Sequence, residues 1–216
     1  MSTEVIAEIT EFFQSYPEQC FSKGHGLLRP DDVPRSVYYI ESGSISQYDI
    51  APSGNEIVVG SYRAGDFMPI AQALRPSPVQ FFFEVTEKSI LRLAPIDEMA
   101  DFIAHHPHIS LYLLEKAYED TECLLRRLSH QMGGTALSQI LFEITDNARR
   151  FGVRQTNGDM KLSLNENEIA KRVGLSRETV NRTLKPLKQH GVIKSGASGI
   201  VICDLERIED QLASSL

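Results

Sequence analysis

Five side chains in the C-terminal third have types and spacing suited to reading the edges of base pairs. Arg177, Glu178, Asn181, Arg182 and Lys185 fall at i, i+1, i+4, i+5 and i+8, which is one face of a helix. Val180, Leu184 and Leu187 fall on the other face at helical spacing and are expected to point inward. An arginine can donate two hydrogen bonds to guanine O6 and N7, and a glutamate can accept from cytosine N4. Ser176, Thr179 and Lys185 carry hydroxyl and ammonium groups suited to phosphate oxygens. Thr179 is equally well placed to serve only within the helix N-terminus.

The residues that must position this face run from Leu164 to Ile193, LNENEIAKRVGLSRETVNRTLKPLKQHGVI. Asn165 can cap a first helix, with Glu168 three residues on to close a capping box. Ile169, Ala170 and Val173 give that helix an apolar face. Gly174 then ends it, because a helix C-terminus often needs a left-handed backbone that glycine adopts without strain. Ser176 caps the second helix. Two short helices joined by a tight turn form a helix-turn-helix, in which the N-terminal residues of the second helix meet base edges in the major groove. The same features also describe an ordinary helical hairpin with a charged, solvated face.

The run GLSRETVNRTLKPLKQHGVI resembles the recognition segment of the CRP/FNR family of bacterial transcription regulators. Upstream, YYIESGSISQYDIAPSGNEIVVGSYRAGDFM resembles the family's cyclic-nucleotide-binding-type β-roll, with Gly43, Gly54 and Gly65 at its recurrent turn glycines. The two likenesses cover nearly the whole chain in the expected order. They imply an α+β fold with a β-roll sensor domain over 1–106. A dimerisation helix and hinge would follow over 107–134, then a winged helix-turn-helix over 135–216. They imply a cytoplasmic homodimer on double-stranded DNA. Arg177, Glu178 and Arg182 match the family's base-reading positions, so a palindrome with TGTGA-type half-sites is expected. Asn181 departs from the small residue usual there in the family's best-known member, so part of the half-site is expected to differ. The loop around Asn157-Gly158-Asp159 is the counterpart of one through which activators touch RNA polymerase; as a polar loop it is equally well read as solvated.

Charge supports this division. The chain carries 22 Lys/Arg against 29 Asp/Glu, a net −7. The excess acid lies before residue 135, and 163–194 holds 7 basic residues against 3 acidic. Basic charge therefore concentrates where phosphate contacts are expected. No apolar run approaches a membrane span, and Cys20, Cys123 and Cys203 form no CxxC pair, so neither a disulfide framework nor a zinc site is indicated.

Residues 4–14 read as an amphipathic helix with Val5, Ile6, Ile9, Phe12 and Phe13 on its face. Short β-rich runs follow to about residue 95, including 37–40, 44–50, 56–59, 81–85 and 90–93. A long helix is expected over about 109–131. Leu114, Ala117, Thr121, Leu124 and Leu128 form one row, and Leu111, Tyr118, Leu125 and Met132 a second. Two rows suit a seam that packs on both a partner helix and the roll. Gly133-Gly134 end it. A further helix covers 135–151, then a polar loop covers 152–161. Val192–Lys194 and Gly199–Ile202 can pair across Gly196-Ala197-Ser198 as a wing.

The sensor half departs from the family. Cyclic-nucleotide binders hold the ribose with a glutamate after the Gly-Asp-Phe segment; here that position falls on Ile70. They hold the phosphate with an Arg-Ser pair, which falls here near Val79-Gln80, and base-facing helix positions fall on Leu124 and Leu125. A buried phosphate without its arginine would lose charge-assisted hydrogen bonds, so cAMP as a cofactor is disfavoured. An apolar effector beside Ile70, Leu74, Val79, Leu124 and Leu125 is one alternative. A closed, constitutively competent protein, a cysteine redox sensor and a signalling role through a protein partner are the others. An iron–sulfur centre would need more cysteines. His105, His106 and His108 flank Pro107 without an acidic or cysteine partner in spacing, so no metal is expected. No nucleophile motif or phosphate loop indicates an enzyme.

Overall fold

The computed structural model describes residues 2–196 and 199–215. The chain divides into two compact units, Met1–Glu119 and Asp120–Leu216.

In the first unit, α1 (Ser2–Gln14) buries Val5, Ile9 and Phe13 at helical spacing. Ile6 is exposed, because adjacent helical residues point about 100° apart and Val5 takes the inward direction. Eight strands follow: β1 (Glu18–Phe21), β2 (Gly26–Leu28), β3 (Ser36–Ser42), β4 (Ser44–Ile50), β5 (Glu56–Arg63), β6 (Phe67–Met68), β7 (Phe82–Val85) and β8 (Ser89–Pro95). They form two antiparallel four-stranded sheets, ordered β1-β8-β3-β6 and β2-β7-β4-β5. The helices α2 (Ala71–Leu74) and α3 (Ile96–His105) belong to this unit, and α4 (Pro107–Gly133) runs from it into the second.

Strand β3 shows how the layers arise. Its side chains alternate, so Val37 and Tyr39 join Ile9, Phe13, Met99 and Ile103 under the helices, while Ile40 joins Ile45, Phe83 and Leu91 between the sheets. Both faces are buried, which explains why Val37-Tyr38-Tyr39-Ile40 is an unbroken apolar run. Gly43 turns β3 into β4 at φ +96°, and a Cβ there would collide with Ser89. On the rim, Arg92 ties β8 to β3 through Glu41 at 2.9 Å, to Glu18 of β1, and to the Tyr16 carbonyl at 2.7 Å.

The start of α4 packs on this unit through buried Ile109 and partly buried Tyr112 and Leu113. Neither predicted row supplies these anchoring residues: Leu111, Tyr118, Leu125 and Met132 are exposed, as are Leu114, Leu124 and Leu128.

In the second unit, Thr135 caps α5 (Ala136–Phe151) by accepting from the Ser138 N–H at 3.2 Å. The helices α6 (Glu166–Val173), α7 (Arg177–Gln189) and α8 (Leu205–Ala213) pack with α5 around Leu141, Ile144, Ile169, Val180, Leu184 and Ile208. A four-stranded antiparallel sheet, β11-β12-β10-β9, completes it from β9 (Val153–Arg154), β10 (Met160–Leu162), β11 (Ile193–Gly196) and β12 (Gly199–Ile202). The segment expected as a loop over 152–161 is thus a hairpin. Its strands are set by pairing β10 with β12, about 40 residues away, which local periodicity does not register. The wing pairs Ile193 with Ile202 and Gly196 with Gly199; of its expected turn, residues 197–198 lie outside the described residues.

Candidate nucleic-acid interface

The two helices α6 and α7 are held by local chemistry. Asn165 Oδ1 accepts from the N–H groups of Asn167 and Glu168, each at 3.0 Å, and Glu168 Oε2 accepts from the Asn165 N–H at 2.8 Å. That closes the capping box. Gly174 stands at φ +71° as the C-cap, the left-handed conformation that lets the chain turn at once into α7. Ser176 Oγ accepts from the Thr179 N–H at 3.1 Å and lies 2.9 Å from the Thr179 hydroxyl. Both hydroxyls therefore already serve the helix start. Val180, Leu184 and Leu187 are buried, and Arg177, Glu178, Asn181, Arg182 and Lys185 are exposed. The burial pattern separates the charged row from its apolar support as the spacing predicts.

Two carboxylate-centred networks brace this helix pair. Deep in the unit, Glu143 of α5 is 2% exposed and is hydrogen-bonded by Arg127 of α4, with Arg172 of α6 at 3.9 Å. Arg127 also approaches Asp146 at 3.8 Å. Burial pushes the Glu143 carboxyl above the ordinary carboxylate range, against the pull of the two guanidinium groups. At the rim, Glu166 of α6 accepts from Lys188 of α7 at 2.9 Å, and Lys188 also donates to Asn181 Oδ1 at 3.0 Å. Partial burial alone would raise the Glu166 carboxyl. Hydrogen bonds from Lys188, its own backbone N–H and Ser195 of β11 outweigh it and hold the group at about 2.

The residues mapped to the effector each have their place within their own unit. Val79 is 2% exposed and packs between the sheets, whereas Ile70 packs partly buried beneath the helices. The two belong to different clusters. Leu74 and Gln80 are exposed on the first unit, and Leu124 and Leu125 are exposed on α4 in the second. On α4, Leu114, Ala117, Thr121, Leu124 and Leu128 are also exposed.

Sequence reasoning missed the acidic partner of the histidines. Glu8 of α1 meets His108 Nε2 at 2.6 Å and His106 Nε2 at 3.4 Å, across about 100 residues of sequence. His105 ends α3, His106 is its C-cap, and His108 lies in the first turn of α4. Among the described residues, no group of three His, Cys, Asp or Glu could hold a metal ion. Cys123 donates to Asp146 Oδ1 at 3.2 Å, and burial together with that carboxylate pushes its thiol up to about 11. Such a thiol carries little thiolate at neutral pH and reacts slowly. Glu143, Glu166 and Lys188 were likewise not singled out; the i to i+7 spacing of Asn181 and Lys188 was the one local signal.

Residues 18–106 match the cyclic nucleotide-binding domain family, and residues 135–211 match the Crp-like helix-turn-helix domain family. The chain is 26% identical over 183 residues to the global nitrogen regulator of Synechocystis sp., covering 81% of this chain and 79% of that one. It is 25% identical over 178 residues to the fumarate and nitrate reduction regulatory protein of Escherichia coli, covering 79% and 68%. A CooA mutant from Carboxydothermus hydrogenoformans has a similar fold, with a TM-score of 0.77, 20% identity, and coverage of 94% and 90%. These relatives are regulators rather than enzymes. No helix among the described residues is long and apolar enough to cross a membrane. With a cyclic-nucleotide-binding-type unit and a Crp-like DNA-binding unit in sequence, the chain belongs to the CRP/FNR family of DNA-binding transcription regulators.

Proposed function

We propose that the chain acts as a homodimer on a palindromic DNA site with TGTGA-like half-sites, and that its switch does not use a cyclic nucleotide. The observation that carries the first part is the exposed row Arg177, Glu178 and Arg182 on a capped, core-anchored helix. Arginine at both ends of that row suits guanine O6 and N7, and the glutamate between them suits cytosine N4. Self-association is supported by α4, where Leu114, Leu124, Leu125, Leu128 and Met132 are all exposed on one helix. An apolar surface of this kind marks an interaction site, and a second copy of the same helix matches it side chain for side chain. A two-fold dimer would place two reading helices about one helical turn of DNA, ~34 Å, apart.

The second part rests on Ile70 and Val79. Neither side chain can pair with a hydroxyl or a phosphate, and Val79 is part of the sheet-to-sheet core. A cyclic phosphate brought there would be desolvated without compensation. The inputs favoured by this lining are an uncharged effector or none, the protein then being constitutively competent for DNA.

Selection from a random duplex pool is the test of the first part. It should return an inverted repeat with G·C pairs in each half, and an unstructured consensus would refute the reading. Calorimetric titration with cAMP tests the second part: no heat of binding is expected, and tight saturable binding would overturn it.

A further inference from the structure

We propose that Lys188 is a positioning residue for base recognition: by holding the Asn181 carbonyl oxygen, it presents Asn181 to DNA as a hydrogen-bond donor. This rests on the reading of α7 as the base-reading helix.

An asparagine amide can present an oxygen, an NH2 group or both, and the choice decides which base it prefers. Bidentate pairing with adenine needs both, the oxygen accepting from N6 and the NH2 donating to N7. In this protein the oxygen is engaged. Lys188 Nζ donates to Asn181 Oδ1 at 3.0 Å, and an ammonium has donors only, so the amide must turn its oxygen toward it. The NH2 group is thereby directed away from Lys188. The positive charge beside Oδ1 also disfavours a second donor, such as adenine N6, at the same oxygen.

The ammonium is itself fixed. It donates to Glu166 Oε1 at 2.9 Å, and Glu166 is tied further to its own backbone and to Ser195 of the wing. The side chains of Lys188 and Glu166 are 26% and 16% exposed, so salt screens the pair less than a surface ion pair. Three elements, α6, α7 and β11, therefore converge on the orientation of one amide. Asn181 is also drawn along the helix toward Lys188, two turns further on. Left with a donor, it suits a base whose groove edge offers acceptors: guanine with N7 and O6, then thymine with O4. Position 181 thus carries a residue whose choice of base is set by a neighbour rather than by its own type.

The test measures binding of the full chain to four duplexes that differ only at the base pair whose preference Asn181→Ala flattens. Wild type should favour guanine or thymine over adenine there. Lys188→Met, which keeps the length of the stem, frees the oxygen and should shift the ratio toward adenine, by roughly five- to a hundredfold. Glu166→Gln loosens the ammonium and should shift it the same way by less. The double variant Asn181→Ala/Lys188→Met should be as flat as Asn181→Ala alone. Preference at the pair read by Arg177 should persist in all of them, and a melting curve on each checks that it is folded. An unchanged ratio in both Lys188→Met and Glu166→Gln would overturn the proposal while leaving the reading helix intact. An adenine preference in wild type would do the same. Loss of affinity that is uniform across all four bases would make Lys188 a phosphate contact and also overturn it. Absence of any base preference, at the Arg177 pair included, would instead bring down the reading itself.

Discussion

The two units treat polarity in opposite ways. In the second, charged side chains stand outward on α7 while caps and buried apolar residues hold their backbone. In the first, two of the positions mapped to a charged ligand, Ile70 and Val79, are apolar, and Val79 is core. The proposed function thus pairs a polar outer surface for DNA in one unit with an apolar interior in the other. Output and input of a two-unit regulator can diverge independently, because each surface depends on the packing of its own unit.

The largest expected effect separates the buried support from the exposed readers. Glu143→Ala removes the buried carboxylate that Arg127 and Arg172 share, and should destabilise the second unit by about 3–5 kcal/mol in denaturant titration. Arg177→Ala touches no core and should leave that titration unchanged. It should instead weaken binding by about 1–3 kcal/mol at one base and relax the preference there. Should Arg177→Ala destabilise the fold, or Glu143→Ala leave it intact, the division into support and reader would fail. Asn165→Ala removes the cap of α6 and is expected to lower stability by ~1 kcal/mol. Equal binding per folded molecule would show that its effect runs through the scaffold.

Acid should act on the rim network next. The Glu166 carboxyl titrates at about 2 in the folded protein, below the ordinary carboxylate value. Its contribution is therefore fully present above that ordinary value and is lost as pH falls toward about 2. Glu143 works the other way: its raised value means that the folded state holds its proton longer, so its ionisation opposes folding as pH rises through the carboxylate range. Glu166→Gln should flatten the acid limb of a stability–pH curve, and a limb identical to wild type would remove Glu166 from the account.

What the sequence disclosed follows the range of the interactions. The capping box of Asn165 and Glu168, the turn at Gly174 and the apolar row of α7 are set within four residues, and each is found where the spacing places it. The glycine-punctuated runs of the roll also emerge as strands. The two-residue β6 is defined by its distant partner β3, and α3 was not anticipated. The interactions that tune the interface were hidden for the same reason. Glu166 meets Lys188 across 22 residues, Arg127 meets Glu143 across 16, and Glu8 meets His108 across 100. Periodicity says which face of a helix is buried; it does not say which charge waits on the neighbouring element.

The most direct measurement is a mobility-shift titration of the purified chain on a selected palindrome and on a scrambled duplex of equal composition, with and without cAMP, at two salt concentrations. Specific binding should outlast non-specific binding as salt rises. The account predicts a complex on the palindrome that survives the higher salt and is unaltered by cAMP, while the scrambled duplex is released. Equal loss of both complexes with salt, or a palindrome complex that forms only when cAMP is added, would contradict it.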